Sequence, residues 1–239
     1  MCFHYSLTKE RAEIEIQLGA TWDDDWQPVN YVNGFTFPKM PIISQKNPNS
    51  IQLFNWGLIP HWIKSNADAD KIRTQTLNAH SETVFEKPSF RTSIQNNRCL
   101  IIADGFFEWM DFHKKKYPHF ISMKLNSIFC FAGIFSSWTD KVTGEHLETF
   151  SILTSEANPM LAKIHNSKQR MPVIVPSNQY KKWLTPDLSK KEIESFFKPY
   201  PEIEMQNHTI SKRITSRTDN PNVPEVIKPF IYPELALIE

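Results

Sequence analysis

Five short runs rich in β-branched and aromatic residues constrain this chain most: Ile51 to Gly57 (IQLFNWG), Cys99 to Asp104 (CLIIAD), Tyr117 to Lys124 (YPHFISMK), Ile128 to Ile134 (IFCFAGI) and Leu147 to Ser155 (LETFSILTS). Turn residues separate several of them, so each reads as a strand, and the spacing predicts a mostly antiparallel sheet that curls on itself. Seventeen Pro, seventeen Phe and seven Trp beside six Gly agree with short strands, loops of fixed conformation and aromatic side chains in a core or groove. The expected class is α+β, a curled, barrel-like sheet with peripheral helices, and 239 residues fit one domain spanning 1–239.

The helices are expected at the edges. Thr8 is a candidate cap for a helix ending before Gly19, Asn158 and Pro159 open a short helix ending near His165, and Ser189 with Glu192 forms a capping box for a helix through Phe197. The acidic, aromatic, Pro-bearing stretch Ala20 to Ile43 reads as an extended loop. No run approaches ~18 consecutive apolar residues and no signal pattern is visible, which predicts a soluble, cytoplasmic protein without a membrane partner. Three cysteines with no CxxC pair make neither a disulfide framework nor a zinc site, so no metal is expected. A formal charge of +1 exerts no global pull on a polyanion. Any such site must use a local patch, the candidates being His113 to Lys116, Lys163 to Arg170 and Ser211 to Arg217, with the first reading best as a solvated face.

Cys99 and Cys130 lie inside apolar runs and read as core, whereas Cys2 does not. Directly behind the initiator Met, Cys2 can become an N-terminus bearing an amine of pKa near ~8 and a thiol near ~8.5 on adjacent carbons. An amine condenses with an aldehyde, and a β-thiol can close on the imine. The competing reading is a small hydrophobe of no consequence. Glu108, in ADGFFEWM, shares a strand face with Phe106 after a turn at Gly105, so burial would raise its pKa into the proton-transfer range; the alternative is an exposed strand-end acid. His165 follows a helix whose C-terminus favours imidazolium. Asn78, in LNAHSETV, can orient a substrate or cap a helix. Trp56 and Trp62 flank a Pro turn and offer rings for unstacked bases, or for the core.

Together the stretches MC, WGLIPHW, LNAHSET, RCLIIADGFFEW and IHNSKQRMPVIV resemble the SRAP (SOS-response-associated peptidase) family, covering most of the first 175 residues. The resemblance implies a DNA damage response protein that crosslinks covalently to abasic sites in single-stranded DNA, shielding them through a thiazolidine on Cys2 after Met1 removal. It further implies that Asn78, Glu108 and His165 complete the active site, that no cofactor is needed, and that the protein is a monomer that joins the nucleoid at damaged DNA. The strand would be held by Trp56, Trp62, Lys163, Arg170, Lys212 and Arg213, with His4 and His80 standing where family members often carry phosphate-contacting Arg. The peptidase of the family name implies release of Met1 or of the adduct, and the chemistry allows a lyase side reaction. The rival readings are an N-terminal-nucleophile amidohydrolase and a noncovalent reader of damaged or modified DNA.

Overall fold

The computed structural model describes residues 2–216 and 218–235. Its strands are β1 (His4–Leu7), β2 (Thr21–Trp22), β3 (Val29–Asn33), β4 (Lys39–Ser44), β5 (Asn47–Trp56), β6 (Asn78–His80), β7 (Arg98–Ala103), β8 (Gly105–Phe112), β9 (Lys115–Met123), β10 (Phe129–Thr139), β11 (His146–Glu156), β12 (Arg170–Pro172), β13 (Ile174–Val175) and β14 (Met205–Thr209). Strands β11, β10, β7, β4 and β5 pair in that order, and β5 then pairs parallel with β11 through Thr149↔Asn55 and Phe150↔Trp56, closing a barrel. A second sheet runs β14-β9-β8-β1-β3. The expected curled α+β architecture is therefore present, and most of its pairings are antiparallel.

All five expected strands form, and most extend past the expected ends because hydrogen-bonded pairing carries the extended backbone through polar residues at the hairpin tips. β10 and β11 stay paired out to Thr139↔His146. Tyr5 and Phe106 face each other across β1 and β8 and are fully buried, and so are their neighbours Ser6 and Phe107, because both faces of the sheet are covered here. Cys99 and Cys130 are fully buried core residues, as expected.

Four expectations are corrected. Ala20 to Ile43 contains β2, β3 and most of β4 rather than an extended loop. Its Pro41 is compatible with a central strand because β4 meets β7 only from Ile42 onward, leaving the proline paired on the β5 side alone. Thr8 caps no helix: its backbone N–H and hydroxyl both donate to the Asp104 carboxylate, and α1 (Arg11–Leu18) starts later, although Gly19 does end it in the left-handed region at φ 65°. Gly105 makes no left-handed turn; it is where the chain leaves the barrel sheet for the second sheet, and a Cβ there would stand 2.1 Å from the Phe120 ring. The Ser189–Glu192 capping box is present, but its helix, α6 (Lys190–Glu194), ends before Phe197.

Between them lie α2 (Asn66–Arg73), α3 (Arg91–Asn96), α4 (Pro159–Ile164) and α5 (Tyr180–Trp183). Asn158 caps α4 by accepting from the Leu161 N–H at 2.8 Å, with Pro159 in the first turn as expected. The guanidinium of Arg98 is fully buried and donates only to carbonyls, those of Trp183, Ile94, Gln95 and Thr185, which ties α3 and α5 to the barrel. The second sheet's outer face carries Phe107 and Phe120, which pack under Ile210, Ile214 and Val226 of the C-terminal region. No helix among the described residues is long and apolar enough to cross a membrane.

Candidate functional site

Four elements distant in sequence deliver the expected residues to one place. Pairing of β1 with β8 sets the chain start beside Glu108. Parallel pairing of β6 with β11 aligns Asn78 with Ile152, and α4, which follows β11, packs on β8 and ends at His165. The Asn78 side-chain amide donates to the Cys2 carbonyl at 2.9 Å. His165 Nδ1 lies 3.8 Å from Glu108 Oε1 and hydrogen-bonds the Arg170 carbonyl at 2.9 Å. A carbonyl can only accept, so Nδ1 carries the proton and, in the neutral ring, Nε2 keeps its lone pair.

Burial sets the protonation states. Desolvation raises the Glu108 carboxyl from 4.5 to about 7, as its sequence context suggested. The Cys2 thiol is fully enclosed; burial drives it well above the ordinary thiol range, and the Glu108 charge adds to the rise. The ordinary thiol value near ~8.5 expected for Cys2 therefore does not hold in the folded protein. Nor does the imidazolium expected at His165: desolvation comes first in lowering its pKa, the positive charges of Lys168 and Arg170 add to this, and a helix of six residues has too small a dipole to compensate. Asn78 is a strand residue and not a cap, and its Oδ1 is a buried acceptor without a hydrogen-bond partner among the described residues.

The candidate strand-binding residues scatter. Trp56 cannot stack on a base: it is fully buried, lies parallel to Phe150 and donates its indole N–H to the Leu77 carbonyl, directly before Asn78. Trp62 is 47% exposed and borders a cleft of about 500 Å³ with Lys64, Lys71 and Gln75. Its neighbour Ile63 is bonded by Trp138, which pairs with Leu147, five residues before Ile152 on β11 and so roughly 17 Å from the level of Asn78. Neither histidine replaces an arginine's charge. His4 is wedged between Tyr31 and Trp109, hydrogen-bonds the Tyr31 hydroxyl at 2.8 Å and is held at about pKa 4 by burial; His80 is lowered by desolvation and by Arg170. Lys163 is exposed on α4, and Lys212 lies over the rings of Tyr117 and Tyr232. Arg213 is half-buried, while Arg217, the end of the expected patch, and Met1 lie outside the described residues. His113 to Lys116 form the exposed tip of the β8–β9 hairpin, a solvated face as expected.

Several contributors had not been singled out. Glu82, four residues after Asn78, forks onto Arg170 with contacts of 2.6 and 3.0 Å. Asn166 clasps the Asp111 backbone through both amide atoms, joining the loop after His165 to the strand of Glu108. His119 sits directly opposite Glu108 on β9. Their spacing in the sequence carries no periodic signal; only the strand register reveals them. No group of three or more metal-ligating side chains occurs among the described residues.

Cys2, Asn78, Glu108 and His165 thus come together at one place in the fold. The family model SOS response associated peptidase (SRAP) matches residues 1–217. The chain belongs to the SRAP family. Among SRAP relatives, it is 35% identical over 191 residues to the abasic site processing protein YoqW of Bacillus subtilis, covering 79% of this chain and 81% of YoqW. It is 36% identical over 183 residues to the abasic site processing protein YoaM of the same organism, covering 76% and 77% respectively. A crystal structure of a protein from Bacteroides thetaiotaomicron superposes with a TM-score of 0.89 at 40% identity, covering 96% of this SRAP chain and all of that one.

Proposed function

We propose that this protein processes abasic sites in single-stranded DNA by forming a covalent adduct through the amine and thiol of Cys2 once Met1 has been removed. The observation that carries this reading is the Asn78 amide on the Cys2 carbonyl. A cysteine serving only as core filler needs its side chain held; here the main chain is held, which orients the α-amine. The relatives named as abasic site processing proteins support the same reading.

The abasic sugar is a hemiacetal in equilibrium with its aldehyde. His165 Nε2 takes the C1 hydroxyl proton as the ring opens and returns it to the ring oxygen. The neutral Cys2 amine adds to C1, Glu108 takes the ammonium proton, and loss of water leaves an imine. Sγ then adds to the same carbon as a thiol, because burial keeps it protonated; its proton passes through Glu108 to the imine nitrogen and closes the five-membered ring. One water is released and no oxidant or reductant is required. Asn78 Oδ1, unpartnered among the described residues, would accept from the amine or from a sugar hydroxyl. A monomer acting on an unpaired strand is part of this reading, since the missing base lowers the cost of extruding the sugar.

The test is incubation with an abasic single-stranded oligonucleotide, followed by a denaturing gel and intact mass. A heat-stable adduct mapping to Cys2 is expected, lost when Met1 is retained and labile in Cys2→Ser. An adduct mapping to Cys99, Cys130 or a lysine, or one undiminished with Met1 in place, would falsify the thiazolidine route. Turnover on small amides without any adduct would identify an amidohydrolase instead.

A further inference from the structure

The Arg170 guanidinium is 15% exposed and fully engaged on one edge. Nη1 and Nη2 fork onto the two carboxylate oxygens of Glu82, and Nη2 also donates to the Thr154 carbonyl at 2.6 Å. The two partners are unequally buried, since the Glu82 side chain is 52% exposed at the rim of the site. Arg170 is also one residue from the chemistry, because its carbonyl holds His165 Nδ1. Burial pushes the Glu82 carboxyl up, but hydrogen bonding and charge from Arg170 outweigh it and hold it below the usual range, so Glu82 is ionised at neutral pH.

We propose that Glu82 is a built-in occupant of a phosphate site: its carboxylate rests on the Arg170 fork where a backbone phosphodiester of a single strand binds, and strand binding displaces it. This rests on the single-strand reading above. Carboxylate and phosphodiester present the same pair of acceptor oxygens to a guanidinium, so one can replace the other without moving the arginine. The asymmetry of burial favours that exchange. Arg170 is anchored on β11 by Thr154 and stays, while Glu82 is exposed enough to swing into water. The paired charges cancel and His4 and His80 add none, so the fork itself presents no free positive charge until a strand arrives. Glu82 thus makes binding weaker and more selective for strands that place a phosphate at the fork.

The probe is undamaged oligothymidylate, so no adduct forms and the result is independent of whether Cys2 crosslinks. Glu82→Gln and Glu82→Ala should each bind about fivefold tighter at low salt, the order of one partly exposed ion pair that no longer has to be broken. In an Arg170→Gln background the same change at Glu82 should have no effect. In the wild type, the ¹³C signal of the Glu82 carboxyl should move toward that of an unpaired carboxylate as oligothymidylate is added, a readout that needs no variant to fold. Unchanged or weaker binding by the Glu82 variants, including no binding by any form, overturns the proposal. A gain that persists without Arg170, or a Glu82 signal that does not move, overturns it equally. Failure of adduct formation on abasic DNA, with these binding results intact, would count against the covalent reading and leave the phosphate site standing.

Discussion

Asn78 Nδ2 stands 2.9 Å from the main-chain carbonyl of Cys2, although the two residues lie in strands of different sheets or just ahead of them. This single bond couples the chain start to the barrel, because β6 is itself pinned to β11.

Loss of that bond should slow the chemistry more than it harms the fold. Asn78→Ala removes one buried hydrogen bond worth about 1 to 1.5 kcal/mol, and adduct formation on abasic single-stranded DNA should slow roughly tenfold. Asn78→Asp keeps the shape but sets a carboxylate against the Cys2 carbonyl, and should be slower still. Single-turnover gel assays read both, and equal rates in all three proteins would refute the orienting role.

Glu108 makes stability depend on pH with a definite sign. Its carboxyl sits at about 7 in the folded protein against 4.5 in the reference state. Below pH 4.5 both states are protonated and the group costs nothing; as pH rises to 7 the unfolded chain ionises while the folded one does not, and stability falls by about 3 kcal/mol. Glu108→Gln should therefore melt higher than the wild type at pH 8 and not at pH 4.5. Calorimetry at the two pH values checks it, and a uniform shift at both would show that ionisation is not the cause.

The same carboxylate should govern the rate. Adduct formation should climb as pH rises through about 7 in the wild type, and in Glu108→Gln should be roughly a hundredfold slower and lose that step. His165→Ala should be slow on an abasic sugar yet recover on an acyclic aldehyde that needs no ring opening. Recovery of Glu108→Gln on that aldehyde, or none by His165→Ala, would reverse the two assignments.

Trp56→Phe tests whether this ring serves the core or the strand. It keeps the stack on Phe150 but removes one of the two donors to the Leu77 carbonyl, which retains the Ile152 N–H at 3.1 Å, at a cost of about 1 kcal/mol, which for a chain of this size lowers Tm by roughly 2–4 °C. Binding to undamaged single strands at fixed temperature should not change. A loss of strand binding with no fall in Tm would return Trp56 to a base-stacking role.

Most strands and the α4 cap were legible because each has a local signature, β-branched and aromatic runs or an Asn-Pro start, whereas Cys2, Asn78, Glu108 and His165 each had two local readings and were grouped only by the family resemblance. What was not legible depends on register or on burial. β2 to β4 lie in a segment whose acidic and proline residues mask its alternation, and they are strands because β5 and β7 supply partners. Trp56 and Trp62 look equivalent around the same proline, yet one is sealed against Tyr5 and Phe150 and the other lies open. The ionisation of Cys2 and His165 could not be read from residue type, because in both it is enclosure that decides.

Closure of the barrel by β11 against β5 has a consequence for how the protein is made. Cys2 is made long before its partners: Glu108 comes near mid-chain, and the closing strand and His165 only in the second half. At ~5–20 residues per second, the amino terminus waits on the order of ten seconds before its pocket can exist. Removal of Met1 has that interval in which to act on an exposed end. If Cys2 reacts as proposed, a chain that folds before the cut keeps its Cys2 nitrogen as an amide, so the timing of translation, and not only the geometry of the site, would set the fraction of molecules able to react.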